Sequence, residues 1–113
     1  MDGNKKGYVY IFSDSYNEGV FKIGVTKGTL ERRIKKLQTG NPSEIFVCNS
    51  YQTEIPFFIE KQLHFRFAHK REVGEWFRLT DEEVLSFKDI CKEIEDICNT
   101  MKDNYFFKKL KLK

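Results

Sequence analysis

Apolar and polar positions change period along the chain, and each change marks an element. Residues 7–13, GYVYIFS, are aromatic and β-branched and predict a strand. DSYNEG at 14–19 is turn chemistry, and VFKIGV at 20–25 predicts a second strand, so the two form a hairpin. From Thr29 the period lengthens. Thr29 reads as a helix N-cap, Leu30, Ile34 and Leu37 keep helical spacing, and Gly40 closes the helix. NPSE at 41–44 makes a turn, and IFVCNSY at 45–51 predicts a third strand. Pro56 sits at the start of a helix that runs to about residue 69, where its missing N–H costs little. GEWFRL at 74–79 is a short strand or extended segment.

The C-terminal pattern is the most regular. Thr80 and Glu83 form a capping box ahead of a helix over 81–102. Val84, Phe87, Cys91, Ile94, Cys98 and Met101 step by threes and fours, and Leu85, Ile90 and Ile97 widen the stripe. The order is therefore β-β-α-β-α-β-α. It predicts an α+β fold: a small, mostly antiparallel sheet, hairpin first, flanked by helices, with a long C-terminal amphipathic helix. Residues 1–79 form the core, 80–102 the helix packed on the same domain, and 103–113 a basic tail. The stripe has two uses open to it. It covers the open face of the sheet, or it forms the helix–helix seam of a homodimer.

Composition narrows the class. A chain of 113 residues, 40% hydrophobic and 33% charged, is one globular domain. Eleven Phe and five Tyr predict a core of large rings. No apolar run approaches the length that crosses a bilayer, so no membrane partner is expected. The N-terminal MDGNKKG is polar, unlike a secretory signal, and Cys48, Cys91 and Cys98 form no CxxC. The expectation is a reduced, intracellular protein, in the cytoplasm or near the nucleoid or nucleus.

The net charge of +3 is too small to name a partner, but its distribution is uneven. Lys27, Arg32, Arg33, Lys35 and Lys36 face only Glu31 within residues 27–36, and residues 61–71 hold four Lys and Arg with no acid. The acids gather at 80–83 and in the helix beyond, so the molecule has a basic face and an acidic edge.

Three places carry candidate chemistry. Tyr8 and Tyr10 share one face of the first strand, near Gly24 of KIG; they are core aromatics and a strand glycine, or the floor of a site. Arg33 lies one position from the inward stripe of the first helix, where it reaches over the sheet, and an arginine beside a glycine turn holds a phosphate bidentately. The other cations of that helix form a solvated face in the plainest reading. Glu60 and His64 share a helix face at i, i+4. Phe57, Leu63 and Phe67 set the apolar face of that helix, and Phe58, Phe65 and Ala68 broaden it, which leaves Glu60 at its edge. A carboxylate there binds Mg²⁺, an ion that prefers oxygen and keeps several waters. Otherwise Glu60 pairs with a lysine and His64 is a structural hydrogen-bonder.

In order, VYI at 9–11, FKIGVT at 21–26, LERRIKKLQT at 30–39, EKQLHFRF at 60–67 and GEWF at 74–77 resemble the GIY-YIG endonuclease superfamily. Within it, the pieces are most similar to a small branch of phages, large DNA viruses and bacterial genomes. The match covers roughly residues 7–79.

The resemblance implies a metal-dependent endonuclease that hydrolyses DNA phosphodiesters with one Mg²⁺ or Mn²⁺. Tyr10 matches the tyrosine at the scissile phosphate, Arg33 the phosphate clamp and Glu60 the metal ligand. Lys22 stands where a second motif tyrosine is usual, and it serves as base or as phosphate counter-charge. His64 joins from the neighbouring helix. Tyr8, Gly24, Lys27, Arg32, Lys35 and Lys36 are the implied phosphate- and DNA-binding positions. Glu75 falls where a supporting polar residue is common, while Trp76 is expected as buried scaffold. Lys22, together with Leu37 at a position often His or Tyr, motivates an alternative: a DNA-binding module without turnover. A dimerising interaction domain built on the C-terminal helix is the second alternative.

Overall fold

The first strand, β1 (Gly7–Asp14), carries the run Val9-Tyr10-Ile11-Phe12, and each of these is at most 1% exposed. A strand with large apolar groups on both faces must be covered on both, and the chain builds a layer on either side. The computed structural model describes residues 6–101. Their order is β1, β2 (Val20–Thr26), α1 (Leu30–Gln38), β3 (Ile45–Thr53), α2 (Pro56–Arg66), a 3-10 turn (Ala68–Lys70), β4 (Arg71–Val73), β5 (Trp76–Arg78), α3 (Asp81–Leu85) and α4 (Phe87–Met101). The strands form one five-stranded sheet in the order β3-β1-β2-β5-β4, every neighbouring pair antiparallel. The fold is the expected α+β type, with a sheet flanked by helices and a helix at the C-terminal end.

One face holds the main core. Val9, Ile11 and Ile23 from the sheet meet Ile59 and Leu63 of α2, Phe77 of β5, and Phe87, Cys91 and Ile94 of α4. The other face is smaller: Tyr10, Phe12 and Ile45 lie under Leu30, Ile34 and Leu37 of α1. Leu37 is thus part of the cover of this face. Helix α1 is fixed at both ends. The Thr29 hydroxyl accepts from the Arg32 N–H at 3.1 Å. The Gln38 side chain donates to the Ser43 carbonyl at 2.5 Å and accepts from the Ile45 N–H at 3.0 Å, which ties the helix to β3.

Several expectations are corrected. The segment before residue 80 is a hairpin of two short strands rather than one, turned at Gly74, whose φ of 56° suits glycine. Its first strand, Arg71–Val73, is exposed throughout and has no apolar alternation to betray it.

Helix α2 ends at Arg66 instead of near 69. It buries Pro56, Ile59 and Leu63, whereas Phe57 and Phe65 are 58% and 81% exposed. This helix carries phenylalanines on several sides, so its pattern does not single out a face.

The C-terminal helix is two helices. The capping box forms, with the Glu83 N–H donating to Thr80 Oγ1 at 3.1 Å and the Thr80 N–H to Glu83 Oε1 at 2.8 Å. The chain then breaks at Ser86. The inward stepping continues across the break, with Val84 partly buried against the main core and Phe87, Cys91, Ile94 and Cys98 buried in α4, while Leu85, off that line, is 79% exposed. Ile97 and Met101, expected in the stripe, are exposed. The basic tail expected at 103–113 lies outside the described residues.

Helix α4 is also held by polar contacts to β3. Tyr51 Oη and Thr53 Oγ1 both donate to the Glu95 carboxylate, each at 2.5 Å. Burial, with the Glu95 charge adding to it, pushes the Tyr51 phenol well above its ordinary range. No helix among the described residues is long and apolar enough to cross a membrane.

Candidate active site

The site lies where β2 loses its outer neighbour. β5 pairs only with Val20, Phe21 and Lys22, so from Ile23 onward that edge of β2 has no strand beside it. Two groups take over. The Ile23 N–H donates to the Glu75 carbonyl at 3.0 Å, and His64 of α2 donates from Nε2 to the Ile23 carbonyl at 2.9 Å. This carbonyl can only accept, which fixes the proton on Nε2. The gap lets residues of α2 meet residues of the opposite face around one edge.

Tyr10 faces the α1 side of β1, directly across from Gly24 on β2. Its ring lies flat against Phe12, with centroids 3.9 Å apart and planes 15° apart. The ring also crosses over Gly24, where a Cβ would come within 2.6 Å of Cζ of Tyr10. Gly24 is therefore glycine for space, and the space is what lets the phenol pass over β2. Arg33, half-buried on α1, donates from Nε to the Tyr10 oxygen at 3.0 Å. Burial raises the Tyr10 phenol above its ordinary value. Arg33 opposes this, by its hydrogen bond and by its charge, while Glu75 and Glu60 add to it.

Lys22 is on the same face, two residues before Gly24. Its Nζ lies 3.1 Å from Glu75 Oε1 and 5.8 Å from the centroid of the Trp76 ring. Trp76 is half-buried beside the first hairpin rather than wholly enclosed. Glu60 is half-buried on α2, with Oε2 3.9 Å from His64 Nε2. Burial pushes its carboxyl above the usual carboxylate range, and Glu75 adds to that. His64, Lys22 and Arg33 pull it back. Tyr10, Lys22, Arg33, Glu60 and His64 thus come together from four elements, with Glu75 as the member that the sequence placed only as support.

The remaining candidates divide. Arg32, Lys35 and Lys36 join Arg33, Thr26, Gly28 and Thr39 around a groove of about 490 Å³ on the outer side of α1. Lys27 is directed elsewhere, its Nζ 5.8 Å from the centroid of the Phe57 ring. Tyr8 accepts a 3.4 Å hydrogen bond from Gln52 of β3.

The T5orf172 domain model matches residues 7–95, from the first residue of β1 into α4. The chain belongs to the T5orf172 domain family. This is a GIY-YIG-like, nuclease-type domain. No curated protein and no solved structure matches the chain.

Donor chemistry decides whether a T5orf172 domain of this sequence fits a divalent ion. Among the described residues no cluster of three or more His, Cys, Asp or Glu is arranged to hold a metal. His64 is committed to the Ile23 carbonyl through Nε2. Glu60 remains, a desolvated carboxylate that a cation would favour. One carboxylate fits Mg²⁺ or Mn²⁺ only if waters and a substrate phosphate complete the shell, the usual arrangement for Mg²⁺ at phosphates.

Proposed function

We propose that the protein is a divalent-metal-dependent endonuclease that hydrolyses DNA phosphodiesters. The observation that carries this reading is the contact between Arg33 and Tyr10 at the open edge of β2, with Glu60 close enough to act on the charge of both. Phosphoryl transfer requires a base or water-positioning group, a fixed cation on the equatorial oxygens and a carboxylate for a metal. Tyr10, Arg33 and Glu60 supply one each.

Arg33 has the fork geometry to hold the scissile phosphate while its Nε–H stays on Tyr10. Burial keeps Tyr10 as the neutral phenol despite that donor, so its oxygen orients the attacking water, whose proton leaves to solvent. The water oxygen forms the new bond to phosphorus as the bond to the departing strand oxygen breaks, and that oxygen takes a proton from solvent. Lys22 adds positive charge on the same face. Glu60 would hold Mg²⁺ or Mn²⁺, which when bound polarises the phosphate and neutralises its charge. The basic groove on the outer side of α1 supports a DNA path beside the reacting phosphate, with Arg32, Lys35 and Lys36 on the backbone.

A second reading is favoured by the engagement of Lys22 with Glu75 and by Leu37 in the core: a DNA-binding module of this fold without turnover. Supercoiled plasmid with Mg²⁺ or Mn²⁺ separates the two. Nicking by the wild type and not by Glu60→Gln supports the enzyme. Salt-sensitive binding without any nicking supports the module.

A further inference from the structure

We propose that Glu75 is a positioning residue that, with Trp76, holds the Lys22 cation at the phosphate site. The inference rests on the nuclease reading and deepens it, because it gives Lys22 a fixed place rather than a free swing and gives the GEWF segment a task.

A lysine on a strand ordinarily sends its ammonium into water. The Lys22 side chain is only 17% exposed. Its Nζ is bracketed by Glu75 Oε1 at 3.1 Å and by the Trp76 ring at 5.8 Å. Carboxylate and ring face are both partners of a cation.

The backbone sets this geometry in advance. Lys22 is the direct cross-strand partner of Trp76, and the Ile23 N–H bonds the Glu75 carbonyl at 3.0 Å. The turn at Gly74, with φ of 56°, starts β5 at the height of Lys22. Glu75 therefore cannot drift along the sheet without breaking strand pairing. The Glu75 charge also acts on Tyr10 and on Glu60, which places it within the electrostatic field of the site.

Glu60 is a second carboxylate within electrostatic reach of Lys22. With Glu75 in place the ammonium has a carboxylate partner of its own and stays on the Tyr10 face. With Glu75 neutral, the ammonium is released to water or to Glu60, where it competes with a divalent cation.

Two readouts on the full chain test this. The first is the side-chain ammonium ¹H–¹⁵N signal of Lys22 without DNA or metal, assigned by its loss in Lys22→Arg. In the wild type it should persist as a slowly exchanging signal, and in Glu75→Gln it should exchange away. Glu75→Gln is isosteric, and its thermal transition should match the wild type. The second is plasmid nicking. Glu75→Gln should lower kcat by about 10-fold or more with KM little changed, the scale of losing an outer partner that orients a working group. Glu75→Asp should recover part of the rate. Lys22→Met should lose at least as much, and Glu75→Gln added to Lys22→Met should cost nothing further.

An unchanged Lys22 signal in Glu75→Gln, or fully additive losses, would overturn the proposal. A wild type that fails to nick plasmid with Mg²⁺ or Mn²⁺ would defeat the nuclease reading instead, and the ammonium signal alone would then decide the placement of Lys22 by Glu75.

Discussion

Arg33 Nε donates to the Tyr10 phenol oxygen at 3.0 Å, and the ring carrying that oxygen lies across the bare α-carbon of Gly24. Helix α1 is capped at Thr29 and clipped to β3 through Gln38, so its register relative to β1 is fixed before any ligand arrives. Arg33 is the residue that this register aims at Tyr10. Arg32, one position earlier, lines the outer groove.

The two neighbouring arginines should therefore separate in a kinetic experiment. Arg33→Ala should lower the nicking rate by about 10²-fold or more, the scale of losing one donor to transition-state charge. Arg32→Ala should leave the rate at saturation near wild type, weaken DNA binding, and reduce the salt slope by about 1. Rates at saturating DNA and binding across a salt series measure both. Equal effects from the two substitutions would remove the clamp role from Arg33.

Gly24→Ala tests the crossing of the Tyr10 ring. The added methyl would sit 2.6 Å from Tyr10 Cζ, and that ring is already stacked on Phe12, so it has little room to retreat. The expected cost is about 1–3 kcal/mol of stability, in the range for overpacking. In Tyr10→Ala the obstacle is gone, and the same Gly24→Ala change should cost less. Urea unfolding of the four proteins gives the coupling. Equal costs in both backgrounds would mean that glycine is there for another reason.

These relationships were unevenly legible in the chain. Arg33 could be placed because it stands next to Ile34 and three positions after Leu30, and helical geometry puts such a residue at the border of the buried stripe. Glu60 could be placed at the edge of α2 for the same reason, although the helix buries Ile59 and Leu63 rather than Phe57. The roles of Tyr10 and Lys22 came from the order of five short pieces, since neither charge nor periodicity distinguishes a site tyrosine from a core one. The Lys22–Glu75 pair was hidden. It depends on a hairpin of two three-residue strands, one of them fully exposed, and so short a pair leaves no period to read. The break at Ser86 was hidden too, because no Gly or Pro marks it and the three-four stepping runs straight through.

Helix α4 should prove inseparable from the fold. Phe87 is 1% exposed in the main core, and Glu95 binds both Tyr51 and Thr53 of β3. Phe87→Ala should cost about 3–5 kcal/mol, the range for a buried aromatic. Glu95→Ala should cost about 1–3 kcal/mol, because two hydroxyls lose their acceptor. Urea denaturation with a constant slope measures each. Wild-type midpoints for both variants would mean that α4 is an appendage.

Glu60 carries a stability prediction opposite in sign to its proposed catalytic one. Burial raises its carboxyl above the value in the unfolded chain, so the folded protein holds that proton more tightly. The resulting stabilisation is fully present below the unfolded value and is lost as pH rises through the raised folded value. Above that raised folded value, where Glu60 is ionised in its desolvated setting, the charge therefore costs stability. Glu60→Gln keeps the shape and removes the charge, so it should raise the Tm at neutral pH. The gain should shrink toward zero in acid, where the wild-type side chain is itself neutral. A bound cation removes the same penalty by another route: Mg²⁺ or Mn²⁺ should raise the Tm of the wild type and leave Glu60→Gln unmoved. Thermal unfolding across pH, with and without the ion, reads both effects. A Glu60→Gln protein less stable than wild type at neutral pH would mean that Lys22, Arg33 and His64 outweigh the burial of the carboxylate. Equal stabilisation of both proteins by the ion would put the metal somewhere other than Glu60.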